Sequence, residues 1–215
     1  MRTFLIAMLA LLSCNGVDAQ IKVDELWQEM PDSLMPYMDQ QARSQLVSYY
    51  NIDKIWAKLV SSFDEVVEVN KLTDNYMNVS LGEMANLQMA LLTTDTKDSL
   101  LCMVKTYCGG TEEERRPSES VIAFYNMKWQ KMDNAQFLVS VKPSELIRKP
   151  AAMEQMKYQE LLKLANPKMM VMEMDEKDLS LTLSLTFPML SAEDEKMLDP
   201  ILLQKKIKWN GKMYK

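Results

Sequence analysis

The chain has 215 residues, a formal net charge of −5 from 25 Lys and Arg against 30 Asp and Glu, and no histidine. Lacking histidine, it cannot build Ser-His-Asp or Cys-His nucleophile systems, imidazole general bases or histidine zinc sites. The mild negative charge argues against nucleic acid as a partner, and the 5 glycines are too scattered for a glycine-rich phosphate loop.

The N-terminus reads "MRTFLIAMLALLSCNGVDAQ", with one arginine before an apolar run from Phe4 to Leu12. That run is shorter than the ~20 residues a membrane-spanning helix needs, and its layout is that of a secretory signal. Residues 1–19 are therefore expected to form a signal peptide, cut after Val17-Asp18-Ala19. The alternative processing reads "LLSC" as a lipobox and places a lipid anchor on Cys14. Either way the protein is expected to be exported to the periplasm, cell surface or medium, with no transmembrane segment in the mature chain.

Three helices are expected. "DQQARSQLVSYY" (39–50) opens on Asp39 as an N-cap and puts Leu46, Val47 and Tyr50 on one face. "DKIWAKLVSSF" (53–63) is a weaker candidate. "PAAMEQMKYQELLKLA" (150–165) starts at Pro150, carries an apolar stripe of Tyr158, Leu161, Leu162 and Ala165, and stops at Asn166-Pro167.

The strands come in two sets. Lys128-Trp129 and Lys208-Trp209 lie 80 positions apart, and the same offset carries Lys97-Asp98 onto Lys177-Asp178, Leu101 onto Leu181, Met103 onto Leu183 and Tyr107 onto Phe187. Each set reads as an apolar strand ("NLQMALLTT", "KMMVMEM"), a Lys-Asp turn and a longer strand ("SLLCMVKTYC", "LSLTLSLTF"). An acidic connection and a third strand ending at the tryptophan complete it. From Leu179 to Phe187 apolar and hydroxyl residues alternate strictly, which predicts one buried face and one polar face. Ser191 with Asp194, and Thr111 with Glu114, have the spacing that starts a helical turn.

The expected fold class is α+β: two similar antiparallel β-meanders, an internal duplication, with helices packed on one face of the sheet. The division is 20–143 for the N-terminal helices and first meander, and 144–215 for a helix and the second meander.

No catalytic, cofactor-binding or metal-binding residue stands out. Glu112-Glu113-Glu114 and Glu193-Asp194-Glu195 are the visible candidates for paired-acid hydrolysis; runs of this kind on short connections are ordinarily solvated surface. Met170, Met172 and Met174 share one side of a strand and could offer thioethers to Cu(I), though core packing suits them better. Cys102 and Cys108, six residues apart on one strand, would lie ~20 Å apart. A disulfide needs roughly 4.4–6.8 Å, so both are expected to be free, buried thiols.

"MPDSLMPYM" (30–38), "LTDNYMNVSL" (72–81), "KDSLLCMVKTYC" (97–108) and "VIAFYNMKW" (121–129) together resemble an uncharacterised family of exported Bacteroidetes proteins, domain-of-unknown-function group 3256. The resemblance implies an envelope or secreted location and supplies no activity, cofactor or catalytic residue. The functional expectation is an exported, non-catalytic module that binds an envelope protein or glycan. The alternatives are an envelope hydrolase using paired carboxylates and a methionine-rich metal-binding protein.

Overall fold

A computed structural model describes residues 21–36, 38–54, 57–83, 85–109 and 116–215. The expected signal peptide with Cys14, and the acidic run 111–114, lie outside the described residues.

Helix α1 (Val23–Glu29) buries Val23, Leu26 and Trp27 on one side. Helix α2 (Gln40–Ile52) starts where Asp39 accepts a hydrogen bond from the Ala42 N–H, as the sequence predicts, and buries Arg43, Leu46, Val47 and Tyr50 at helical spacing. Arg43 is fully buried. Its guanidinium donates to the carbonyls of Trp27 (3.1 Å), Met38 (2.6 Å) and Met30, and pairs with Asp32 at 2.9 Å. The Trp27 indole N–H returns a bond to the Arg43 carbonyl. One arginine thereby supplies donors for the Trp27 and Met30 carbonyls where α1 ends and for the Met38 carbonyl just before α2.

The helix expected over 53–63 is not formed: Lys58–Val60 is a short strand, β1, paired with Val66–Leu72, β2. Lys58 and Glu68 pair across the two strands at 3.1 Å, and cross-strand pairing with the β-branched residues of β2 outweighs the weak helical pattern. Strands β3 (Tyr76–Leu81), β4 (Ala85–Thr93), β5 (Ser99–Gly109), β6 (Arg116–Tyr125) and β7 (Lys131–Met132) continue the pairing in strict chain order, giving a seven-stranded antiparallel meander. A second, three-stranded antiparallel sheet contains β8 (Met169–Met174), β9 (Leu181–Thr186) and β10 (Lys205–Ile207), with β9 central. The class is α+β, built from two antiparallel meanders.

Alternation assigns the two faces of the large sheet. Leu87, Met89, Leu91, Leu101 and Met103 pack with α1 and α2 in one core. Ala90, Leu92, Cys102, Val104 and Phe124 pack with Leu181, Leu183, Leu185 and Phe187 in a second. Helix α3 (Gln155–Leu164) contributes Leu161 to that second core. It begins five residues later than expected, with Pro150 in a preceding turn. Helix α4 (Ala192–Lys196) is the turn expected in the second acidic connection, with Ser191 accepting from the Asp194 N–H. The second core draws on both sides of the 143/144 division, since Phe124 and Leu181 belong to it alike.

The offset of 80 does not survive in the pairing. Leu91 pairs with Leu101, but Leu181 pairs with Met174 rather than Val171, a displacement of three residues. The turn between β8 and β9 is longer than that between β4 and β5, and the left-handed residue is Lys97 in one and Leu179 in the other. The tryptophans also differ. Trp129 has φ 60° in the β6–β7 turn and packs on the first core against Tyr125, with ring centroids 5.5 Å apart. Trp209 lies beyond β10, packs on the second core, and donates its indole N–H to the Thr93 carbonyl at 2.7 Å. The repeat is one of strand order, not of register.

The first meander is covered on both faces over residues 87–92 of β4 and 100–104 of β5, so its strands carry no exposed polar face there. The thiols of Cys102 and Cys108 are free, as expected. Only Cys102 is buried, because a bulge at Tyr107/Cys108 breaks the alternation that would have buried both.

Candidate functional site

The two sheets meet edge to face. Strand β8 is the outer strand of its sheet, so half its backbone groups have no strand partner. Side chains of the large sheet take that place. Gln88 donates from Nε2 to the Met174 carbonyl (3.0 Å) and accepts on Oε1 from the Met174 N–H (3.0 Å). The Ser120 hydroxyl accepts from the Met172 N–H at 2.9 Å and bonds Thr106 Oγ1 at 2.7 Å. Further along, Thr186 donates to the Ser118 carbonyl, and the Arg116 guanidinium reaches Glu195 and the Leu190 carbonyl. A primary amide presents the same donor and acceptor pair as a peptide unit, so Gln88 acts as one residue of a missing strand.

Where the second sheet stops, the same face of the large sheet carries a row of side-chain amides. Asn70 on β2 donates to Asn78 Oδ1 (3.0 Å) and to Ser80 Oγ (2.8 Å), and Asn86 on β4 donates to Asn78 Oδ1 (2.7 Å). Gln88 also donates to the Tyr76 hydroxyl at 2.8 Å, linking this row to the sheet junction. Asn70 is exposed, and Asn78, Ser80 and Asn86 are half-buried. Two adjoining cavities of about 340 and 300 Å³ lie in the angle between this row and β8; Asn78, Gln88 and Glu173 line both. Glu173 is exposed and has no hydrogen bond or ion pair among the described residues. Its neighbour Glu176 is paired with Lys71 (3.1 Å), and Asp175 lies 3.8 Å from Lys206.

A cavity of about 440 Å³ lies on the opposite, helix-side face, walled by Phe63, Val67, Leu81, Ala85 and Tyr107. The polar groups at its rim are engaged locally: Ser61 Oγ accepts from the Phe63 and Glu65 N–H groups, and Glu65 accepts from the Glu83 N–H. It offers apolar surface with few groups left to orient a ligand.

Among the described residues, the remaining sequence candidates other than exposed Glu193 have structural partners. Ser191 and Asp194 cap α4, and Glu195 pairs with Arg116. Met170 and Met172 pack against the second core, and Met174 is buried in it. The Lys177-Asp178 turn is an electrostatic knot. Asp178 accepts from the Ser180 hydroxyl and N–H and lies 3.3 Å from both Lys206 and Lys208. The Ser180 bonds above all, with the two lysines adding to them, hold its carboxyl well below the usual carboxylate range.

A family model described as "Protein of unknown function (DUF3256)" matches residues 15–214. The chain belongs to the DUF3256 family. Among solved structures it is similar to a domain of an uncharacterised protein from Porphyromonas gingivalis W83, with a TM-score of 0.70 and 17% identity over 90% of this chain and 98% of that one. No curated protein matches. The shared fold carries no activity to this DUF3256 member.

Sequence reasoning missed the amide row. Asn70, Asn78 and Asn86 are eight residues apart, and asparagine is depleted in strands. The regular spacing of a poor strand former was a signal, but only the meander shows that it places the three side by side.

Proposed function

We propose that the protein is an exported, non-catalytic binding module of the envelope or the extracellular space, working through the amide-bearing half of its large sheet. The observation that supports this is the contrast within one sheet face. Over β5 and β6 the face is buried under the second sheet and is apolar apart from Thr106 and Ser120, which bond each other and β8. Over β2 to β4 it carries Asn70, Asn78, Ser80 and Asn86. Stability alone would favour β-branched or aromatic residues at such positions; outward amides suit recognition of polar groups. The hydrolase reading is weaker, because Asp194 and Glu195 are used in capping and ion pairing. The metal reading is weaker because the Met170, Met172 and Met174 thioethers are packed in or against the core.

The test is a photocrosslinking residue placed at Ser80 and, as control, at exposed Glu160 on α3, followed by recovery from envelope fractions. An adduct, protein or glycan, formed from position 80 and not from 160 is expected. Equal labelling at both, or none at 80, overturns the reading. For export, the mature protein is expected to begin at Gln20. Palmitate incorporation that disappears in Cys14→Ala would replace that cut with lipoprotein processing.

A further inference from the structure

Resting on that reading, we infer that the cleft between the amide row and β8 takes an uncharged, hydroxyl-rich ligand, an oligosaccharide, with Glu173 as its anchoring carboxylate. Three observations carry the ligand class. The floor beside Glu173 is made of neutral amides: with Gln88 spent on Met174 and Tyr76, Asn86 keeps one amide hydrogen and Asn78 keeps one amide hydrogen, and a hydroxyl can accept from these and donate in turn. Asn86 gives one amide hydrogen to Asn78, leaving its Oδ1 directed to no other described residue. Glu173 lines both cavities with its carboxylate unpaired and could accept from two hydroxyls at once. Pro117, exposed at the cleft, provides apolar surface for the C–H face of a ring.

Charge separates this ligand from its competitors. An anionic ligand would meet Glu173 directly and would find one lining lysine, Lys177, against the acids Glu173, Asp175 and Glu176. A cationic one would find a single free carboxylate, because Glu176 is paired with Lys71 and Asp175 faces Lys206. The two cavities, about 340 and 300 Å³, each fall in the range of small-ligand sites. Their adjacency along β8 favours a chain of units over a single compact molecule.

The test is a ¹⁵N NMR titration of the full mature chain with maltotriose, cellotriose, chitotriose and mannotriose, and separately with trilysine. At least one neutral trisaccharide is expected to shift the side-chain amides of Asn78 and Asn86 and the backbone amide of Glu173, with little dependence on salt. Glu173→Gln is expected to weaken that binding about tenfold, the loss of one charge-assisted hydrogen bond, whereas Glu160→Gln leaves it unchanged. The inference is overturned if all four trisaccharides leave these signals in place at millimolar concentration, or if trilysine alone shifts them and salt abolishes the effect. A face-specific protein adduct at position 80 combined with silent trisaccharides would remove the oligosaccharide and keep the binding module. Silence in both experiments would remove both.

Discussion

At the residue scale, Arg43 shows how a single polar side chain can decide local architecture. Its guanidinium is the donor for three carbonyls inside the first core. Arg43→Met keeps much of the volume and strands those acceptors, so it is expected to cost about 3 kcal/mol, read as a lowered urea midpoint with unchanged m. Arg43→Lys is expected to recover little, because an ammonium lacks the planar fork. The thiols make a second case. Burial pushes the Cys102 thiol up, with the Tyr214 hydroxyl bond pulling weakly the other way; burial also raises the Tyr214 phenol. Both groups are neutral in the folded state and ionise more readily when unfolded. Their contribution is complete below the unfolded thiol range, ~8.5, and is lost as pH rises beyond it. Alkaline destabilisation above about pH 9 is therefore expected, with Cys102→Ala flattening it. In the native chain from residue 20 onward a maleimide should label Cys108 quickly and Cys102 only after denaturation; equal rates would contradict the burial.

At the scale of elements, the joint between sheets depends on side chains standing in for a strand. Gln88→Leu removes both partners of the Met174 peptide at a buried site. It is expected to cost about 2–3 kcal/mol and to speed hydrogen exchange at Met174 before that of the strands in the large sheet. Acid acts on the β8–β9 turn. The Asp178 carboxyl is depressed by Ser180 first and by Lys208 and Lys206 after it. A depressed acid contributes stability that is complete above the unfolded carboxylate range, ~3.9, and is lost as pH falls through its folded value. Asp178→Asn is thus expected to lower the melting temperature at pH 7 and to lower it by much less at about pH 2, which thermal scans at the two pH values would show.

At the scale of the whole molecule, two cores share one sheet, and the C-terminus closes the second. Tyr214 bonds through its backbone to Phe137 and Val139, and its hydroxyl donates to the Leu179 carbonyl at 2.8 Å. Tyr214→Ala is expected to cost about 3–5 kcal/mol. Because the middle strands belong to both cores, the loss should appear in a single cooperative transition, with fluorescence and circular dichroism midpoints coinciding. Separate midpoints would mean that the halves divided at 143/144 unfold independently.

The α+β class, the Asp39 cap of α2, the body and stop of α3, the α4 turn and the strands at 85–93, 99–109 and 181–186 were legible in the sequence alone. Each follows from interactions within a few residues: period of two or 3.6, a capping oxygen, a proline. The free thiols were legible too, because strand rise fixes a distance, while the exposure of Cys108 was not, because a bulge needs a partner strand to define it. Strands β1 to β3, the burial of Arg43 and the true register of the second meander were decided by tertiary contacts. A short segment such as Lys58–Val60 becomes a strand only when β2 lies beside it. The candidate site belongs to the same class. Asn70, Asn78 and Asn86 are three isolated polar residues along the chain; the hairpins between β2 and β4 align them, and the edge of β8 turns that row into a cleft with Glu173 on its wall. The sequence encodes local periodicity directly, and side-by-side placement only through the strand pairings that bring distant residues into contact.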